Sequence, residues 1–275
     1  MGTLYVVGTP IGNLEDITLR ALRTLRQVSL IAAEDTRTTG RLLAHYQIET
    51  PLTSYWEHSK LSKLKTILAT LEAGDVALVS EAGMPGLSDP GYELIRAAIE
   101  AGHQVSPIPG PTAPITALVV SGLSTDRFLY LGFLPRRGRA RRRLLAKVAP
   151  VEHTLVAFEA PHRLLETLGD VESILGDREM AIARELTKLH EEVWRGQVSQ
   201  ARDHFSVQPP RGEFTLVIAG ANPQERRWEE EGVRAAVEEL MGAGVPRREA
   251  VKAVAQMADW PPQKVYQLAL TKEES

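Results

Sequence analysis

Two pairs of side chains have the types and spacing for acid–base chemistry. Glu34 and Asp35 stand side by side in AAEDTRTTGRLL, and Glu185 and Lys188 stand three apart in ARELTKLHEE. A carboxylate beside a reacting hydroxyl accepts its proton, and a neighbouring cation orients a polar or anionic substrate. Each cluster begins where an apolar run ends, and residue type alone leaves the readings open. Glu34 and Asp35 fit a general base, a pair of metal ligands, or caps for the helix that follows, capping being the commonest use. Glu185 and Lys188 equally fit a helix-surface pair worth roughly 0.3 kcal/mol. In a third cluster, FEAPHRL (158–164), His162 beside Arg163 at a helix start reads as structural. The chain contains no cysteine, which removes disulfides, thiolate metal sites and a thiol nucleophile. Its chemistry rests on oxygen, nitrogen and backbone groups.

Three Gly/Pro-rich loops are the other candidates. In VSEAGMPGLSDPG (79–91), Gly83, Gly86 and Gly91 permit backbone geometry closed to other residues, while Pro85 and Pro90 keep the loop from collapsing into a helix. Such a loop holds its N–H and C=O groups toward a guest, or else makes a tight surface connection. In VVGTPIGNLEDIT, Gly8 and Gly12 stand four apart around Pro10, so the G-x-G-x-x-G dinucleotide fingerprint is absent. Pro10 also lacks the N–H that a phosphate nest uses. This loop reads equally as a plain strand-to-helix turn, with Asp16 able to cap the next helix. The third loop, PIPGPTAPITAL (107–118), opens a helix at Thr112. Three such loops at one edge of a sheet favour a single shared ligand site.

The elements that must carry these loops follow from periodicity. TLYVVG (3–8), SLIAA (29–33), DVALVS (75–80) and HQVSPIP (103–109) have strand length. Between them, DITLRALRTLRQV, HSKLSKLKTILATLEAG and GYELIRAAIEAG repeat Leu and Ile at helical spacing. Strand and helix in alternation predict an α/β fold with a mostly parallel sheet, whose ligands lie at the carboxyl ends of the strands. The pattern changes at STDRFLYLGFLPRRG, read as a basic bridge over 124–138 between a first domain (1–123) and a second (139–222). The second domain repeats the alternation through HTLVAFEAP, HRLLETLGDVESIL, EMAIARELT and EFTLVIAG. From Pro223 to Ser275 the pattern is helical, with two short helices joined at Trp260-Pro261-Pro262.

With 43% hydrophobic and 24% charged residues, the 275-residue chain reads as a soluble globular protein able to bury a sizeable core. No apolar run reaches membrane-spanning length and the N-terminus has no leader pattern, so a cytoplasmic location is expected. The net charge of −3 argues against a nucleic-acid partner until its distribution is considered. From Arg136 to Arg143 every residue except Gly138 and Ala140 is arginine. Such a cluster is either a solvated helix face or a phosphate-binding patch. Phe128, Tyr130 and Phe133 beside it fit a stacking platform for a base, or more simply core between the domains.

GTPIGNLEDITLRAL, AEDTRTTGRLL, VSEAGMPGLSDPGYELI, PIPGPTA, FLPRRGRARR, FEAPHRL and ARELTKLHEE, in unbroken order over about residues 3 to 220, resemble the rRNA-methylating branch of the tetrapyrrole methylase superfamily. The resemblance implies two α/β domains with S-adenosylmethionine folded in the cleft between them, a homodimer, and 2′-O-methylation of a cytidine in the decoding region of 16S rRNA without a metal. It implies cofactor contacts from Pro10, Gly83, Met84, Pro85, Leu87, Thr112, Ala113, Phe158, Ala160, Pro161 and Phe214. Catalytic candidates are then Glu34, Asp35, Glu185 and Lys188. RNA contacts are expected from Arg37, Arg136, Arg137, Arg139, Arg141, Arg142, Arg143 and Arg163. Glu81 and Met84 depart from the family's usual acid and threonine, which removes a hydroxyl at position 84. Two rivals stay in view: a methylase for a porphyrinoid ring, which leaves the arginines unexplained, and a non-enzymatic RNA-binding factor, which leaves the loops idle.

Overall fold

The computed structural model describes residues 1–55, 60–222, 230–242, 245–258 and 260–269. His58 and Ser59, at the start of one expected helix, and Pro223, at the start of the expected tail, lie outside the described residues. Met1–Gly220 forms one compact unit and Ala221–Ser275 another.

The first sheet of the larger unit contains β1 (Thr3–Val7), β2 (Leu30–Ala33), β3 (Leu52–Ser54), β4 (Val76–Val79) and β5 (Gln104–Ile108) in the order β3-β2-β4-β1-β5. Every pairing is parallel. A parallel strand is covered on both faces, and all four residues of β4 are buried. One face packs Val7, Ile31, Ala33, Ala77 and Val79 on α1 (Leu19–Gln27) and α2 (Thr36–His45). The other packs Leu4, Ala32, Val76 and Leu78 on α3 (Lys60–Ala73) and α4 (Tyr92–Glu100). Strand β3 was not expected, being only three residues long.

Helix α5 (Ala113–Ser121) precedes the expected boundary at 123, yet Ala117 and Leu118 pack against Val156, Ala181, Ala183 and Val217 of the second sheet. That sheet orders β6 (Phe128–Phe133), β7 (Thr154–Glu159), β10 (Phe214–Ile218), β8 (Glu179–Arg184) and β9 (Glu192–Gln197) side by side. Its opposite face carries α6 (Gly138–Val148), α7 (Leu164–Leu175) and α8 (Val198–Val207), with Leu145, Leu168, Val171 and Phe205 in the core.

Two sequence expectations change here. The segment read as a bridge contains the edge strand β6, paired parallel to β7. The halves are also unlike in kind, because β7–β10, β10–β8 and β8–β9 are all antiparallel. The second half alternates strand and helix only as far as β8; β9 returns directly from it, and a return without a crossover helix must be antiparallel.

The smaller unit holds α9 (Glu230–Gly242), α10 (Arg247–Ala258) and α11 (Pro262–Leu268) around Val233, Val237, Val251, Val254 and Val265. Pro262 opens α11, where a missing N–H costs nothing, and Lys264 lies 3.9 Å over the Trp260 ring.

Candidate active site

The loops leaving β1, β4 and β5 meet because their backbones fit together. Thr9 and Gly83 exchange two backbone hydrogen bonds, at 2.9 and 3.1 Å. A Cβ on Gly8 would lie 2.7 Å from the Gly110 Cα, and one on Gly110 would lie 2.9 Å from Gly8. Both positions therefore demand glycine. Gly83, at φ +79°, also needs the left-handed region.

These loops form one side of a cavity of about 560 Å³, and the ends of β7, β8 and β10 form the other. Of the residues expected to contact a cofactor, Pro10, Gly83, Met84, Leu87, Thr112, Ala113, Phe158, Ala160, Pro161 and Phe214 line it. Pro85 is buried in the loop and does not. Phe133 also lines the wall, its ring centroid 5.1 Å from that of Phe158, whereas Tyr130 meets Phe158 edge-on and shares a 2.8 Å hydrogen bond with Ser88.

The acids separate sharply. Glu34 lines the cavity together with Glu81 and Asp89, two residues not proposed from the sequence as acid–base groups. The Glu34 carboxylate accepts the Glu81 N–H at 3.2 Å. Burial raises its pKa above the usual range, with Glu81 and Asp35 adding repulsion against that hydrogen bond. Asp89 is pushed up to about 7, by burial first and then by Glu34 and Glu81, against a hydrogen bond from Ser80. The sequence signal for Asp89 was its place in the SDPG turn of the 79–91 loop, but nothing there shows that the turn faces Glu34.

Asp35 takes the third role open to it. It caps α2, accepting the Arg37 N–H at 2.7 Å and the Arg37 guanidinium at 2.9 Å, and these bonds hold its carboxyl near 2. It is absent from the cavity wall, and a carboxylate so stabilised is a poor proton acceptor. Its partner Arg37 is exposed.

Glu185 is also off the wall, while Lys188 is on it. No helix holds them; residues 185–191 turn between β8 and β9. Lys188 Nζ lies 3.0 Å from Glu185 Oε1 and 3.2 Å from Glu213. Burial disfavours both charges, but the Glu213 N–H and Lys188 outweigh it at Glu185, whose pKa falls, and Glu185 and Glu213 outweigh it at Lys188, whose pKa rises. Glu185 and Thr187 adopt φ of +50° and +65°, costly for side-chain-bearing residues and held only where the surroundings dictate it. Of the Gly212–Thr215 stretch of the wall only Phe214 was expected; Gly212, Glu213 and Thr215 were missed, because QPPRGEF carries no motif of its own.

Two arginines leave the expected RNA-binding set. The Arg141 side chain is fully buried, its Nε donating to Asp170 at 2.7 Å and its guanidinium paired with Glu166 at 2.7 Å. Arg163 is buried against Glu159, which also accepts from Thr167 and from the Ala160 N–H, fixing the turn that lines the cavity. Both guanidiniums are committed to carboxylates within the fold. Arg136, Arg137, Arg139, Arg142 and Arg143 are exposed. Among the described residues no group of three His, Asp or Glu is arranged to hold a metal, and no helix is long and apolar enough to cross a membrane.

The model of the tetrapyrrole (corrin/porphyrin) methylases matches residues 3–202. The chain belongs to that family. Within it, the chain is 51% identical to the ribosomal RNA small subunit methyltransferase I of Synechocystis sp., over 99% of both chains. It is 46% identical to the protein of the same name from Halalkalibacterium halodurans, over 97% of this chain and 94% of that one. Among solved structures, a cobalt precorrin-4 methyltransferase of cobalamin biosynthesis superposes with a TM-score of 0.62 at 17% identity, over 79% of this chain and 94% of the other. At that identity the likeness concerns the fold.

Proposed function

We propose that this protein transfers the methyl group of S-adenosylmethionine to the ribose 2′-hydroxyl of a cytidine in the decoding region of 16S rRNA, acting on the small ribosomal subunit as a cytoplasmic homodimer. The observation that carries the reading is the cavity: one side is glycine and proline backbone, and an acidic patch lies beside it. The fit to the cofactor is chemical. Gly8 and Gly110 let two of the loops close on each other, Gly83 on the wall takes a left-handed backbone, the apolar walls suit a base and a methionine chain, and Glu34, Glu81 and Asp89 complement a cation.

S-adenosylmethionine, when bound, supplies a methyl already activated on a sulfonium, so the protein's work is alignment and proton removal. Thr9 and Gly83 hold two loops at a fixed spacing, and the buried Glu159–Arg163 pair holds the 158–161 wall. Asp89 accepts the 2′-hydroxyl proton, with Glu34 beside it keeping its affinity for protons high. Lys188 orients the ribose or its phosphate. The exposed arginines of α6 and its leading turn bind the RNA backbone. The loops after β1, β4 and β5 serve as one side of the cavity, and the ends of β7, β8 and β10 with Phe133 of β6 as the other.

The test incubates the protein with tritiated-methyl S-adenosylmethionine and small subunits lacking the modification, then maps the label by nuclease digestion and mass spectrometry. Label on one cytidine 2′-oxygen is expected. Cofactor binding without transfer to RNA would move the assignment to another acceptor, such as a porphyrinoid; absence of cofactor binding would favour a non-enzymatic RNA-binding role.

A further inference from the structure

Asp16 is expected from the sequence to cap α1, but the structure gives that task to Thr18, whose hydroxyl accepts the Ala21 N–H at 3.1 Å. One oxygen of the half-buried Asp16 carboxylate, Oδ2, is cut off from solvent and has no hydrogen-bond partner among the described residues. Thr187 Oγ1 is in the same condition. Both residues line one recess of about 280 Å³, walled also by Ile11, Pro111 and Thr116. Ile11 lines the main cavity too, so the two spaces share a wall.

A buried polar atom without a partner loses its hydration for nothing; such atoms occur elsewhere among the described residues, but here two line one recess, where a single ligand would satisfy both. Thr187 strengthens the point. It is β-branched, stands at φ +65°, and is held there by its N–H bond to Glu191 at 2.6 Å. A residue kept in so unfavourable a conformation, with an unsatisfied hydroxyl, fits a site better than a mere connection.

We propose that this recess receives the base of the target nucleotide and that Asp16 and Thr187 select cytosine over uracil. The inference rests on the reading of the protein as a cytidine ribose methyltransferase. Cytosine offers an exocyclic amino donor next to a ring-nitrogen acceptor, matching a carboxylate oxygen and a hydroxyl in turn. Uracil turns a carbonyl toward the carboxylate, placing two acceptors face to face. Ile11 and Pro111 supply apolar surface for the ring. A base in the recess lies on the far side of Ile11 from the main cavity, and the ribose must turn past Ile11 so that its 2′-hydroxyl reaches that cavity.

The experiment compares small subunits reconstituted with 16S rRNA carrying C or U at the position the wild-type protein labels, reading kcat/KM for methyl transfer. Wild type is expected to prefer C by about 10- to 100-fold. Asp16→Asn, whose amide can donate to the uracil carbonyl, is expected to bring the ratio within about threefold of one, and Thr187→Ser, which keeps the hydroxyl, to retain the preference. An Asp16→Asn protein with the wild-type ratio overturns the proposal, as does an equal loss on both substrates. Label at C by wild type with no preference over U overturns this inference and leaves the methyltransferase reading intact; no label on either RNA overturns both.

Discussion

Replacing Arg141 by alanine tests whether the arginine cluster is one patch or two kinds of residue. Arg141 is flanked by exposed arginines and is indistinguishable from them in RRGRARRR, yet its side chain is fully buried against Asp170, whose own side chain is only 12% exposed. Removing one partner of a buried pair costs about 3–5 kcal/mol, because the other charge is left unpaired. The low end applies here, since Glu166 is largely solvated and Arg142 stays 3.3 Å from Asp170. At about 2–4 °C per kcal/mol for a domain of this size, Tm should fall by roughly 6–12 °C. The slope of log K against log salt for RNA binding, measured where the variant is folded, should not change. Replacing the exposed Arg136, Arg139 and Arg143 together should do the reverse. These three have no ion pair among the described residues, so Tm should hold while the slope drops by about 2, near 0.7 per lost phosphate contact. Thermal melts and filter binding across a salt series read both quantities. An Arg141→Ala protein melting within about 2 °C of wild type, or losing salt dependence like the exposed triple, would refute the division.

Asp89→Asn should lower kcat roughly 100-fold. Wild-type kcat/KM should climb with pH to a plateau above about 7, as Asp89 loses its proton amid Glu34, Glu81 and Tyr130, and the variant should lose that limb. Because the folded state raises this pKa, the group's stabilising effect is complete only below the ordinary carboxylate range and is lost as pH rises through about 7, so the variant's Tm should exceed wild type's at high pH and converge with it in acid. Gly8→Ala drives a Cβ into Gly110 and should cost about 1–3 kcal/mol and weaken cofactor binding by calorimetry, whereas Gly169→Ala, which meets nothing within 4 Å, should do neither. Glu159→Gln leaves Arg163 buried opposite a neutral amide and should destabilise by about 3 kcal/mol in urea titration.

What the sequence made legible was what depends on the backbone. Glycine and proline restrict φ wherever they stand, so the three loops declared themselves, and parallel strands covered on both faces read as apolar runs. Side-chain roles depend on partners that the chain order hides. Glu34 and Asp35 are neighbours in sequence, but one joins Glu81 and Asp89 on the cavity wall while the other is spent on capping α2. Arg141 is buried against Asp170 in a helix whose next two arginines are exposed, although Arg142 reaches the same carboxylate at 3.3 Å. The antiparallel second sheet was hidden for a related reason: β9, with EVWRGQ, carries charged and small residues because it is a half-covered edge, so it lacks the apolar run that marks a buried strand.

The same dependence on partners explains why the functional groups outside the loops had to be found in the fold. A polar residue on a turn is satisfied by water in the sequence reader's default, and only the packed structure reveals which ones are cut off from it. Asp16, Glu159 and Arg163 look alike as polar residues near Gly or Pro; the last two prove to be each other's partners beneath the cavity wall, and the buried Oδ2 of Asp16 has none among the described residues. The fold opposes Arg141 with two acids and Glu159 with three donors, yet nitrogens of Arg141 and Arg163 are themselves buried without a hydrogen bond among the described residues. Where it leaves a carboxylate oxygen and a hydroxyl unpaired on one recess beside the reacting cavity, the missing partner belongs to the substrate.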